Sequence, residues 1–450
     1  MVAPTMRGPA GDVMKRLDMA PSMSESGTRS LLKERNTNPL TMRRDDVGQR
    51  SESVRRANLS AIVRELHTSG ALSRSELVAH TGLTRTAIRG LIGELVAADL
   101  ASEGRAAPLG TPGRPSPLVR LNPDRAVVLA LEIAVDSLAV ALVAVGGEVL
   151  QLERVDLPRG HTSVEQIISD LTDLAEMVLA RLPRRDAIVA VGVAVVGVVR
   201  RTDGLVSMAP NLGWRDVPLG ERLAAALGMD APVFVANDGD LGALAEARRG
   251  AAIGADDVLF ISSEVGVGGG LIVDGKPLGG AAGYGGEIGH IPVNPSGSAC
   301  RCGSVGCWET EVGAWALLRR TGRSPGGGRS AVDEVLQEAE SGVPHALAAL
   351  DDVGRWLGFG LAGLVNVFNP RLVVLGGLFG RIHPFVIETI ERELDRRALP
   401  GPRGLVRIVP ANLGIDASLL GAAELALEPL LADPASLIGP RESVPELIRA

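Results

Sequence analysis

The 450-residue chain is poor in aromatic rings: Phe, Trp and Tyr make up 2%, with a single Tyr. Its core must therefore be built from Ala, Val, Leu and Ile. A stacking platform for single-stranded nucleic acid, which needs exposed rings, is argued against. Long apolar runs are also missing. The longest, such as Ala187–Val199, contain glycine and are too short to cross a bilayer, and no segment has the layout of a signal peptide. Cysteine is scarce too. Cys300, Cys302 and Cys307 are the only three, and they fall within eight residues, a crowding that suits a metal better than a disulfide framework. A soluble cytoplasmic protein is expected.

What is present fits a folded chain of about three domains. Hydrophobic residues reach 46% and charged ones only 22%, so most of the chain is not a solvated polymer. Charge is uneven. Residues 1–122 carry 18 Lys+Arg against 12 Asp+Glu, and the remainder carries 28 against 41. A basic end on an acidic body suggests that this end meets a polyanion.

Residues 1–50 are rich in Met, Ser, Pro, Gly and Arg without an apolar period, and read as a disordered tail. Met6, Met14, Met19, Met23 and Met42 lie there, so a translation start after Met1 is an open expectation. From about Ser51 the spacing turns helical, with Leu59, Ile62, Val63 and Leu66 on one face. Ser73 to Glu76 forms a capping box for a second helix, which ends at Thr81-Gly82. Thr84 caps a third, with Ile88, Leu91, Ile92 and Leu95 inward. This is a helix-turn-helix, and the strands expected at 101–104 and 118–121 make a wing with Arg114 at its tip. The winged helix-turn-helix spans 51–122. Thr84, Arg85, Thr86 and Arg89 near the start of the third helix, with Arg114, are the expected DNA contacts. Gly90 and Gly93 are costly inside that helix, and close packing is the one account the sequence offers.

From Ala126 strands alternate with helices, which predicts two α/β lobes across 123–429 with a hinge near 237. A loose tail is expected over 430–450.

Gly286-Glu287-Ile288-Gly289-His290, the run from Cys300 to Glu309, Ala236-Asn237-Asp238 and Leu375-Gly376-Gly377 together resemble the signatures of the ROK proteins, named for repressors, open reading frames and kinases. The resemblance covers roughly 120–425. It implies a two-lobed actin/hexokinase-like (ribonuclease H-like) ATPase-type fold. The winged domain before it is the arrangement of the family's repressor branch. The resemblance also implies that Asn237, Asp238, Glu287, His290 and Glu309 hold sugar hydroxyls, a role that suits carboxylates and an amide. His290, Cys300, Cys302 and Cys307 offer one imidazole and three thiolates, a closed shell for one structural zinc per chain. His290 would then serve both sites, one ring nitrogen to each.

An active kinase of the family uses the Asp238 position as general base and two Gly/Thr turns for phosphate. Here the first turn reads Glu132-Ile133-Ala134-Val135-Asp136 and the second Glu264-Val265-Gly266-Val267-Gly268-Gly269-Gly270. Added carboxylates, with no Lys or Arg nearby in sequence, are expected to repel a nucleotide. Asp238 then remains as a relic base. The expected function is a DNA-binding regulator, a repressor of carbohydrate genes, that senses a sugar or sugar phosphate. As a homodimer or dimer of dimers it would bind an inverted-repeat operator in double-stranded DNA, without a membrane partner. The alternatives are an active ATP-dependent, glucokinase-like sugar kinase with a fused DNA-binding domain, and a scaffold controlled by a protein partner.

Overall fold

The computed structural model describes residues 44–104, 117–157, 163–324 and 327–438. From Val54 onward the chain forms one compact unit. Helix α1 (Arg44–Ser69) is followed by the short strand β1 (Leu72–Ser73), α2 (Arg74–Thr81), α3 (Arg85–Ala97), β2 (Ala101–Gly104) and β3 (Leu118–Leu121). The Ser73 hydroxyl accepts the Glu76 N–H at 3.2 Å and the Glu76 carboxylate accepts the Ser73 N–H at 2.7 Å, which starts α2. Gly82 ends it in the left-handed region at φ 69°. Thr84 then caps α3 by accepting the Ala87 N–H at 3.2 Å. The three strands form a sheet of order β1-β3-β2, and the loop 105–116 between β2 and β3, with Arg114, lies outside the described residues.

Two five-stranded sheets follow. The first comprises β4 (Val127–Ile133), β5 (Ser137–Ala144), β6 (Val149–Asp156), β7 (Ile188–Val195) and, beyond a three-stranded flap of β8 (Val198–Arg200), β9 (Leu205–Ala209) and β10 (Trp214–Pro218), strand β11 (Val233–Asn237). Helices α4 (Val164–Leu179) and α5 (Leu219–Leu227) belong to this lobe, and α6 (Asp238–Arg249) leads out of it. The second sheet comprises β12 (Val258–Ser263), β13 (Val267–Val273), β14 (Lys276–Pro277), β15 (Leu372–Gly376) and β16 (Arg407–Pro410). Its helices are α7 (Trp308–Val312), α8 (Ala314–Arg320), α9 (Gly328–Glu340), α10 (Pro344–Phe368), α11 (Gly377–Arg397) and α12 (Pro400–Leu405). The sheet orders are β11-β7-β4-β5-β6 and β14-β13-β12-β15-β16. In each, three antiparallel strands are extended by two parallel ones laid beside the first, so the lobes repeat one topology. The chain passes from the first lobe to the second where β11 ends at Asn237. Between the sheets, α6 packs on β12 and β13, and α13 (Ala417–Ala432) packs on β4, β7 and α6.

Several boundaries differ from the sequence pattern. Helix α1 starts at Arg44 rather than near Ser51, because a polar segment without an apolar face still propagates from a helix already nucleated. Residues 430–438 are not a loose tail. Leu430 and Leu431 are buried in α13, and Leu437 and Ile438 pack against the core shared by α1 and the first sheet. Pro384 and Pro429 lie inside α11 and α13, each forgoing one backbone bond without ending its helix. Among the described residues no helix is long and apolar enough to cross a membrane.

Close packing does not explain Gly90 and Gly93. Both are exposed on α3, and a Cβ at either would meet nothing within 4 Å. Gly90→Ala and Gly93→Ala are therefore expected to stabilise the protein by about 0.5–1 kcal/mol each. Chemical denaturation of the two variants checks this, and a loss of stability contradicts it.

Candidate functional site

The cleft between the lobes is assembled by element ends. Asn237 closes β11 and caps α6. Its Oδ1 accepts the Gly239 and Asp240 N–H groups at 2.8 and 3.2 Å, and its Nδ2 donates to the Gly197 carbonyl at 2.9 Å. Only one amide hydrogen is left for a hydroxyl, so Asn237 is first a structural cap. Asp238 follows on the cleft floor. Burial pushes its carboxyl up to about 7, with the Gly239 N–H opposing and nearby Glu132 and Glu287 adding to the rise. Glu287, raised mainly by burial and held down in part by His290, faces the same cavity with His290 and Glu309. The structure thus brings Asn237, Asp238, Glu287, His290 and Glu309 to one cavity of about 140 Å³.

His290, Cys300, Cys302 and Cys307 also converge, with ligand atoms all within 4.8 Å of one another. The Cys302 and Cys307 sulfurs are 3.7 Å apart, and His290 Nδ1 is 3.7 Å from the Cys300 sulfur. Tetrahedral edges around a zinc bound by S and N are about 3.5–3.8 Å, so the donor set fits such an ion. Nδ1 faces the thiols, which leaves Nε2 as the ring nitrogen for the cavity. The Cys300 thiol donates to Glu309 Oε1 at 2.9 Å, so a cavity carboxylate also touches the cysteine cluster. Burial, then this bond, pushes the Cys300 thiol far up.

The altered turns are not bare negative charge. Arg154, on β6, reaches across β5 to donate to Glu132 at 2.6 Å, and its other nitrogen meets Asp416 at 2.9 Å. Arg329 lies 3.5 Å from Glu264. The sequence argument missed both cations, because Arg154 is brought to Glu132 by strand pairing across 22 residues and Arg329 arrives from a helix 65 residues away. No local signal marks either. Glu132 is still held above the usual carboxylate range by burial, against the pull of Arg154. The glycines of the second turn have a packing role: a Cβ at Gly269 or Gly270 would collide with neighbours that include Ile288 and Ala243. Gly377, at φ 54°, is backed by the Ser263 carbonyl and the Glu264 carboxylate.

Arg301 was also missed. It stacks 4.0 Å over Trp315 and donates to Asn211 at 2.8 Å on the cleft rim. At the other end of the chain, Thr84, Arg85, Thr86 and Arg89 are exposed at the start of α3. The Thr84 hydroxyl is already engaged as the cap.

Residues 128–429 match the family model described as ROK family. The chain is 26% identical over 380 residues to the xylose repressor of Bacillus spizizenii, covering 84% of this chain and 97% of that one. It is 33% identical over 320 residues to a glucokinase of Streptomyces coelicolor, covering 67% and 98%. Among solved structures it resembles a ROK family transcriptional regulator described as a homologue of the Escherichia coli Mlc protein, with TM-score 0.69, 26% identity and coverage of 86% and 99%. It also resembles a glucokinase of Streptomyces griseus in complex with glucose and AMPPNP, with TM-score 0.58, 30% identity and coverage of 67% and 99%.

The raised carboxyl of Asp238 has a stability consequence. A folded-state value near 7, above the unfolded one near 4, gives stability that is full below pH 4 and lost as the pH rises through 7. Asp238→Asn is thus expected to be more stable than the parent at pH 8, by on the order of 2 kcal/mol, with the gap closing towards pH 4. Thermal unfolding at both pH values checks it, and an equal gain at each contradicts it.

Proposed function

The chain belongs to the ROK family, and on that premise we propose that it is a cytoplasmic transcriptional repressor. Its winged helix-turn-helix binds operator DNA, and its two-lobed domain senses a sugar. The observation that carries this is the reach of the likeness. The match to the xylose repressor runs over 380 residues, more than the 323 from Val128 to the C-terminus, so it enters the helix-turn-helix segment. The glucokinase match covers only 67% of this chain, a share no larger than that of the two-lobed body.

The cleft chemistry supports the same reading. In the family's kinases bare backbone N–H groups meet phosphate at the two turns. Here Arg154 is engaged by Glu132 and Asp416, and Arg329 by Glu264. A nucleotide tail would have to break these pairs and lie against the carboxylates they leave, which costs more in a partly desolvated cleft than in water. The chain therefore does not transfer phosphate. Asp238, Glu287 and Glu309 accept hydroxyl protons from a sugar, and Asn237 and His290 complete the set. Their charge favours a neutral sugar over a phosphate ester, and the relatives' names make D-xylose the first to test. Zinc in the His290–Cys300–Cys302–Cys307 shell would fix the His290 ring and the start of α7, which carries Glu309. Arg85, Arg89 and Arg114 contact DNA, Thr84 and Thr86 the phosphates or base edges, and a homodimer on an inverted repeat supplies two such heads.

One observation favours the kinase alternative: a carboxyl near 7 on the cleft floor suits a general base. A coupled assay with ATP and a panel of hexoses, pentoses and acetylated hexosamines separates the two readings. No turnover is expected, and turnover on the order of 1 s⁻¹ or faster establishes the kinase. Footprinting on DNA upstream of the protein's own gene is expected to give a protected inverted repeat whose protection changes with a panel sugar. Failure to protect any such DNA removes the repressor reading. Metal analysis of the folded protein is expected to return about one zinc per chain, and a metal-free folded protein removes the zinc.

A further inference from the structure

Two helices run from the cleft to the DNA-binding domain. Helix α6 begins at the cavity with Asp238 and ends in Arg248 and Arg249, and α13 begins beside Asp416 and carries Glu424 and Glu428 further along. They are fastened as one body. Near the cleft the Ser418 hydroxyl donates to the Asp238 carbonyl at 3.0 Å. In the middle, a Cβ on Gly421 would overlap the Leu241 carbonyl, so the backbones touch. Further along, the buried Glu246 carboxylate on α6 accepts the N–H groups of Asn412 and Leu413 from the loop before α13, at 2.8–3.2 Å. Sliding one helix on the other would strip these groups of partners inside the protein, a costly exchange.

The far ends meet α1 in a buried network. Glu424, 1% exposed, takes His67 Nε2 at 3.0 Å, Arg248 at 3.1 Å and Arg249. His67, from α1, is equally buried, and its Nδ1 accepts the Gly146 N–H at 2.9 Å. Arg249 reaches the His67 ring, 2.6 Å from Nε2. Arg249 also donates to the Gly146 carbonyl at 3.2 Å. Burial pushes the Glu424 carboxyl up, but His67, then Arg249 and Arg248, together outweigh it and hold the carboxyl down at about 2. Arg64 of α1 and Arg248 of α6 share Glu428. One set of charges therefore ties α1, α6, α13 and the turn between β5 and β6.

A buried pair tolerates few intermediate positions, because parting it leaves an uncompensated charge in the interior. We propose that sugar occupancy of the cleft reaches the DNA-binding domain through α6 and α13 moving as one body, and that the His67–Glu424–Arg249 junction is the contact that converts their position into the setting of α1. His67 and Glu424 are positioning residues, since they touch neither sugar nor DNA. The proposal rests on the sugar-responsive repressor reading.

The test uses the full chain, a DNA fragment from upstream of its own gene, and whichever sugar in a panel of D-xylose, D-glucose and other monosaccharides shifts the melting temperature most. In the parent protein that sugar is expected to change DNA affinity by about tenfold, and DNA to change sugar affinity by the same factor. In Glu424→Gln and His67→Phe both factors are expected to fall to within about twofold of unity, with the affinity for each ligand alone kept within about threefold. Arg56→Ala, which removes an exposed pair to Asp433 elsewhere on the same contact, is expected to keep the parent factor. Folded Glu424→Gln and His67→Phe that retain the parent factor overturn the proposal while leaving the repressor reading intact. A parent protein without any sugar effect on DNA removes both. Should the two variants fail to fold, amide hydrogen exchange of the parent decides. Sugar is expected to alter protection in α1 around His67, and an unaltered α1 with the sugar bound overturns the proposal.

Discussion

The architecture depends on how closely α6 can lie between two sheets. Gly239 sits against Gly269, Gly242 against the Phe260 ring and Gly421 against Leu241, so helix and strand backbones approach where any side chain would hold them apart. Because α6 is that close to the second sheet and to α13, its first residues form the cleft floor and its last reach His67 of α1. Propensity alone disfavours this helix, since Asp238, Gly239, Asp240 and Gly242 are poor helix formers. Tertiary packing and the Asn237 cap carry it instead.

The order of elements was largely legible in the sequence. Clean apolar spacing marked α3 and α4, the capping box at Ser73 marked α2, and β-branched runs marked β4, β5 and β7. Helix α6 went unread because its glycines look like loop punctuation until their packing partners are known. The flap β8–β10 went unread because its strands are three to five residues long and carry no regular apolar alternation. The crowding of the three cysteines already pointed to a metal, but the five cavity residues were legible only through a family resemblance, since they come from separate stretches of chain that the fold brings together. Arg154 and Arg329 had no such motif. An ion pair made by strand registry leaves no local trace, so the cations that face Glu132 and Glu264 are visible only in the fold.

With those cations included, Glu132 and Glu264 each face an arginine that the fold delivers, while the cleft as a whole still carries six carboxylates against three arginines. Around Asp238 the acidic groups stay crowded and its carboxyl is pushed towards protonation. His290 and Glu309 join this part of the cavity to the cysteine cluster.

The proposed regulator reading requires that the Arg154 and Arg329 ion pairs keep a nucleotide tail out of the cleft. Calorimetric titration of the zinc-loaded protein with magnesium AMPPNP, with and without saturating sugar, tests it most directly. The account predicts no binding tighter than about 1 mM, corresponding to roughly −4 kcal/mol. Micromolar binding that strengthens with sugar would contradict it.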